Sequence, residues 1–163
     1  MTIAVIVALA GAGCTEKKEE YATPSKLCGV PVDPAVLRPV LLPGEKLTTS
    51  TAYSNPTTQR CSVAVDGERV LSLESSADEK YEALWDYQIA GGTPVDIGDE
   101  GRANDTAVGA HGRCVLKGEE RDFYALAMRF YPKKDDAAAR REALIRFMAA
   151  YLPAARKAAG CAD

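Results

Sequence analysis

Five cysteines and a single histidine are the side chains with the widest chemical range in this chain. The cysteines are Cys14, Cys28, Cys61, Cys114 and Cys161. A thiolate can ligate zinc, exchange disulfides or act as a nucleophile, and its surroundings decide which. No Cys-x-x-Cys pair occurs, so neither a zinc knuckle nor a thioredoxin-like redox site is indicated. An odd number of cysteines in an exported chain leaves one for a separate task, and four for pairing in one of three ways. The chain divides into two halves that each hold two of the later cysteines. The expected bonds are therefore Cys28–Cys61 and Cys114–Cys161, each worth about 3–4 kcal/mol by loop entropy.

The cysteine with the separate task is Cys14. It follows Leu9-Ala10-Gly11-Ala12-Gly13 and precedes the polar run Thr15-Glu16-Lys17-Lys18-Glu19-Glu20. Small residues leading to a cysteine at the end of an apolar stretch resemble a bacterial lipobox. In such signals the leader is removed and the cysteine carries the lipid. On this reading residues 1–13 are a signal peptide, with Ile3 to Ala12 as its apolar core. The basic start and the usual leucine three places before the cysteine are absent; Gly11 stands at the latter position. Residues 14–25 become the lipid anchor and tether. The eleven residues Thr15 to Ser25 reach at most about 36–40 Å. Residues 26–163 become one extracytoplasmic domain, because 163 residues less 13 leaves 150, enough for a single core.

His111 is the only histidine, and no motif surrounds it. A triad would depend on it alone, and His111-Gly112 reads as an exposed hairpin turn. Asp96, Asp99, Glu100 and Asp105 form an acidic stretch whose spacing misses the calcium-loop pattern. Asn104-Asp105-Thr106 fits a glycosylation sequon. No glycine-rich phosphate loop occurs between a strand and a helix. Catalytic residues, metal ligands and cofactors are therefore not expected. The net charge of −3 supplies no basic face for nucleic acid, and residues 1–13 carry no charge, so the balance is the same after cleavage.

Around these residues the pattern alternates between strand and helix. Asp33-Pro34 opens a short helix that aligns Val36, Leu37 and Val40 and ends at Pro43-Gly44. Residues 46–54, rich in Thr and Ser, read as a polar outer strand, and Asn55-Pro56-Thr57 as a turn. Two β-rich runs around Asp66-Gly67 form a hairpin. Ser76-Ala77-Asp78-Glu79 has the form of a capping box, leading a helix over 77–90 with Tyr81, Leu84, Trp85 and Ile89 on one face. Gly91-Gly92 stops it. A short strand begins at Thr93. Residues 106–110 and 113–117 read as two strands around His111-Gly112, then a turn at Gly118-Glu119-Glu120. Residues 122–131 form the longest strand, closed by Pro132. Its Tyr124, Leu126, Met128 and Phe130 alternate with Phe123, Ala125, Ala127 and Arg129. Asp135 or Asp136 caps a long C-terminal helix through Leu144, Phe147, Met148, Tyr151, Leu152 and Ala155. Pro153 is expected to kink or interrupt it, and Gly160 to end it. Lys133-Lys134 and Arg140-Arg141 read as surface charges.

The lipobox-like Cys14, the early Leu27-Cys28-Gly29-Val30, Arg60-Cys61-Ser62-Val63, Ile97-Gly98-Asp99-Glu100-Gly101 before Val108 to Cys114, and the final helix together resemble a known group. This is the actinobacterial cell-wall lipoprotein family of unknown function, with its LpqN-type and sensor-type extracellular domains. Many of those relatives carry Trp two places after the central cysteine, where this chain has Val63. The resemblance covers residues 26–160 and implies an α+β fold, an antiparallel sheet with helices packed on it, and no activity.

The function expected from these readings is a lipid-anchored extracytoplasmic binding or accessory module, without catalysis. Its partners would be the membrane, through the N-terminal lipid, and an envelope protein or small-molecule ligand, with no nucleic acid. A structural or sensory envelope domain without a dedicated ligand is the alternative. A hydrolase using His111 or scattered acids is a third reading.

Overall fold

The computed structural model describes residues 20–54, 57–78, 89, 91–130 and 136–162. Cys14, the leader, most of the tether, Trp85 and most of the expected 77–90 helix lie outside the described residues, as do Pro132, Lys133-Lys134 and Asp135.

The chain forms β1 (Lys26–Leu27), β2 (Val30–Pro31), α1 (Pro34–Leu37) and a 3-10 turn over Arg38–Val40. Then follow β3 (Leu47–Ser54), β4 (Thr58–Val65), β5 (Glu68–Asp78), β6 (Thr93–Val95), β7 (Glu100–Ala103), β8 (Ala107–Leu116), β9 (Glu119–Arg129) and α2 (Ala137–Ala158). Among these, β1 and β2 pair by themselves. The other seven strands form one antiparallel sheet in the order β3-β4-β5-β9-β8-β7-β6. The fold is sheet-dominated, with α2 laid across one face.

Local chemistry explains the tight connections. Cys28-Gly29, Asp66-Gly67 and Lys117-Gly118 each have positive φ at both residues, with values of 52–56° at the first and 83–85° at the glycine. That is the two-residue turn whose twist matches antiparallel strands. Asp66 also accepts the Glu45 and Lys46 amides at 3.1 and 2.8 Å, binding the start of β3 to the turn. The turn after β8 is therefore Lys117-Gly118, and Glu119-Glu120 already belong to β9.

The two faces of the sheet differ in side-chain size. Phe123, Ala125 and Ala127 of β9 point to the same side as Leu71 and Leu73 of β5, Cys61 and Val63 of β4 and Val108 and Ala110 of β8. All are buried, in one core with Leu144, Phe147, Met148, Tyr151, Leu152 and Ala155 of α2. Alanines at the centre of this face let the helix approach the strands closely. Phe147 and Tyr151 stack with ring centres 5.3 Å apart. Leu27, Val30, Leu37 and Val40 from the N-terminal segment fill the same core. Asp33 caps α1 by accepting the Ala35 amide at 2.8 Å, and Pro34 stands at its first position.

Three expectations are corrected by tertiary context. Ser76 and Ala77 do not cap and open a helix; they extend β5 and pair with Tyr124 and Phe123. Strands on both sides satisfy this backbone, and the Ser76 hydroxyl lies 2.7 Å from Thr58 Oγ1 instead of capping a helix. Residues 106–117 are not two strands around a turn, because β8 runs unbroken through His111-Gly112 between β7 and β9. Pro153 does not interrupt α2, which continues to Ala158. It lies on the exposed side, as does Ala149, whose carbonyl loses the helical donor and can be hydrated there. Asp136, of the two candidates, is the cap, accepting the Ala138 and Ala139 amides at 2.9 and 3.3 Å.

Candidate functional site

The cysteines after Cys14 bond in two pairs. Cys28 joins Cys61, with Cα atoms 6.1 Å apart, and fastens the β1–β2 turn to β4. Cys114 joins Cys161, with Cα atoms 5.0 Å apart, and fastens the chain end to β8. Beside the second bond the Ala162 amide donates to the Val115 carbonyl at 2.9 Å. The two bonds do not mark two structural halves, since β5 and β9 are adjacent in one sheet.

The acidic residues 96–105 are dispersed. Asp99 accepts the Arg113 amide at 3.0 Å, Glu100 begins β7 and faces Arg102 at 3.4 Å, and Asp105 pairs with Arg141. Among the described residues no three His, Cys, Asp or Glu side chains gather as metal ligands. Arg140 and Arg141 are not free surface charges. Arg140 Nε donates to the Asp105 carbonyl at 2.7 Å and Arg141 to its carboxylate, so both tie α2 to the β7–β8 turn. Asn104 Oδ1 accepts from the Thr106 and Ala107 amides, each at 2.8 Å, which makes it a turn-forming residue.

His111 is a mid-strand residue, not an exposed turn. Its Nε2 lies 3.0 Å from Asp122 Oδ1, and its side chain is 21% exposed. Tyr124 stands opposite on β9 and Glu100 opposite on β7. The loop before β7 closes onto this point, since the Asp99 amide donates to the His111 carbonyl at 2.8 Å. Gly98, at φ +66°, allows that approach: a Cβ there would collide with the same carbonyl.

The sheet face opposite α2 carries a group that the sequence reading overlooked. Glu74 of β5 has a side chain only 9% exposed. A buried carboxylate requires donors on its oxygens, and both are supplied. Tyr124 OH donates to Oε1 at 3.0 Å, and Arg60 Nε to Oε2 at 2.8 Å. Burial and the Glu74 charge together hold the Tyr124 phenol well above its ordinary range, against smaller opposing effects of Ser76 and Arg60. Arg60, Ser72, Glu74, Leu126 and Met128 line a depression of about 220 Å³. Nearby, Ile89 packs with Ala107, Leu126 and Met128. Arg60 is half exposed, so the depression has a cationic rim, a carboxylate floor and apolar walls.

A signal for this group exists in the period-two pattern. Ser72, Glu74 and Ser76 alternate with Leu71, Leu73 and Ala77, and Arg60 alternates with Cys61. What could not be read was the pairing of β5 with both β4 and β9, which collects Arg60, Glu74 and Tyr124 from three strands. A second depression, of about 250 Å³, lies between the β1–β2 turn and the end of α2, lined by Gly29, Gln59, Ser75 and Ala155 among others, with no charged side chain among the described residues. The chain matches no protein-family model, no curated protein and no solved structure.

Proposed function

We propose that this chain is a lipid-anchored extracytoplasmic binding module of the α+β class, akin to the actinobacterial cell-wall lipoproteins it resembles. Cys14 holds it to the membrane, and the β4–β5–β9 face takes an amphipathic small molecule or a side chain of an envelope protein. The observation that carries the binding reading is the Glu74 carboxylate, buried and doubly hydrogen-bonded at the floor of a depression walled by Leu126 and Met128. Few convergent polar groups within apolar walls are the usual composition of a ligand site. The extracytoplasmic reading is supported by the two disulfides, which persist in oxidising compartments. No described helix is long and apolar enough to cross a membrane, and the anchor rests on the run ending in Cys14.

Two measurements test the halves of this proposal separately. Metabolic labelling with a palmitate analogue should mark the wild type and spare Cys14→Ser, which should leave the membrane fraction still folded. An unlabelled wild type whose mature N-terminus lies elsewhere refutes the anchor. Capture from detergent-solubilised membranes should recover a species with the wild-type chain and lose it with Met128→Glu. Equal recovery by both refutes the depression as the binding site.

A further inference from the structure

The two edges of the seven-stranded sheet are unlike. β6 is blunted, being three residues long with Pro94 at its centre. Short edge strands and prolines are common devices against unwanted pairing. β3, at the other edge, is eight residues long and among the described residues pairs only with β4. Its residues Thr48, Thr49, Ser50, Thr51 and Ala52 are all exposed, so neither the core nor the opposite face covers it. Pairing with β4 is regular from Leu47 to Thr51 and shifts only between Thr51 and Tyr53. An edge strand directs a row of backbone amides and carbonyls outward. β3 guards this row with neither charge nor proline.

We infer that β3 is a strand-pairing edge and that its occupant is β3 of a second copy of this chain, joining two sheets into one. The charge pattern suits this occupant. No Asp, Glu, Lys or Arg occurs from Leu47 to Gln59, although 26% of the chain is charged. A charged partner strand would find no counter-charge here, whereas β3 itself is neutral. Antiparallel pairing about a two-fold axis at Ser50 sets Thr49 against Thr51 of the other copy, within the regular part of the strand. Lys46 lies four residues from that axis, so no charged residue faces its own image. Opposed hydroxyl and β-branched side chains are favourable cross-strand pairs. The contact is a short ladder with little apolar burial, so the dimer is a weak one, of micromolar to millimolar dissociation constant.

Sedimentation equilibrium of the full chain in a mild non-ionic detergent tests this, read beside amide hydrogen exchange over a concentration series. The wild type should show a monomer–dimer equilibrium, and amides within Thr48 to Ala52 should gain protection as concentration rises. Ser50→Lys and Thr49→Lys place like charges near the axis on opposite faces of an exposed strand. Each should weaken the dimer about tenfold or more with an unchanged far-ultraviolet spectrum. A chain that stays monomeric at every concentration overturns the inference. So does a dimer that tolerates both lysines, or one that Cys14→Ser abolishes while β3 amides stay unprotected. The exchange measurement needs no variant, so the inference remains open to refutation even if a lysine variant fails to fold.

Discussion

Tyr124 reaches Glu74 diagonally across β9 and β5: its hydroxyl donates to Oε1 at 3.0 Å, although the register sets Tyr124 opposite Ser76 and Glu74 opposite Leu126. Only a long side chain spans that offset. The contact leaves Ser76 to meet Thr58 and leaves the other Glu74 oxygen to Arg60. One carboxylate thereby links three strands on the face away from α2.

Removing the Tyr124 donor should expose how much that link stabilises. Tyr124→Phe keeps the ring and strips one hydrogen bond from a buried carboxylate. The expected loss is about 1–3 kcal/mol in urea unfolding. Arg60→Ala in the Tyr124→Phe background should be non-additive, because both donors serve one acceptor. Strict additivity would show that they act independently.

Alkaline pH should destabilise the fold through its tyrosines. Burial raises the phenols of Tyr21, Tyr124 and Tyr151 above the ordinary value of 10.0. The unfolded chain then releases these protons at lower pH than the folded chain. Their contribution is complete below about pH 10 and is lost as pH rises toward the folded values. Melting temperature should fall above that point. Tyrosinate absorbance should lag behind that expected for seven free tyrosines until unfolding occurs. Coincident, free-like titration of all seven would contradict this.

Gly98 should tolerate no side chain. It combines φ +66° with a position where an added Cβ would run into the His111 carbonyl and Leu152. Gly118 has φ +85° with open space around its missing Cβ and serves as the control. Gly118→Ala should cost about 1 kcal/mol, for backbone conformation alone. Gly98→Ala should cost clearly more, about 2–4 kcal/mol, because the loop must also withdraw from β8. Equal losses in thermal unfolding would remove the contact from the explanation.

The Cys114–Cys161 bond should matter for global stability and for the chain end. It closes a separation of 47 residues, for which loop entropy gives about 4 kcal/mol. A Cys114→Ser, Cys161→Ser double variant should lose about 2–5 kcal/mol. Exchange should also accelerate at the Ala162 amide, which pairs with Val115 beside the bond. Non-reducing peptide mapping of the wild type should recover Cys28 with Cys61 and Cys114 with Cys161; a Cys61–Cys114 peptide would refute the pairing.

Residues that act on their immediate neighbours were legible in the sequence. Asp66-Gly67 makes a tight hairpin wherever two strands flank it, because its positive φ values are local. Asp33-Pro34 and Asp136 cap helices through amides two and three residues on. The apolar spacing from Leu144 to Ala155 marks the buried stripe of α2. The tertiary structure decided what depends on distant strands. Ser76-Ala77 carries a helix-capping signal yet joins β5, because β4 and β9 supply partners on both sides. His111-Gly112 has turn-forming residues yet continues β8, held between β7 and β9. Leu126 and Met128 of β9 face away from α2 while Phe123, Ala125 and Ala127 face it, since a helix packs more closely on the two alanines than on Leu126 and Met128. Arg60, Glu74 and Tyr124 meet for the same reason: each is only a polar residue at alternating spacing until strand order brings the three together, and strand order arises from long-range pairing that no local pattern encodes.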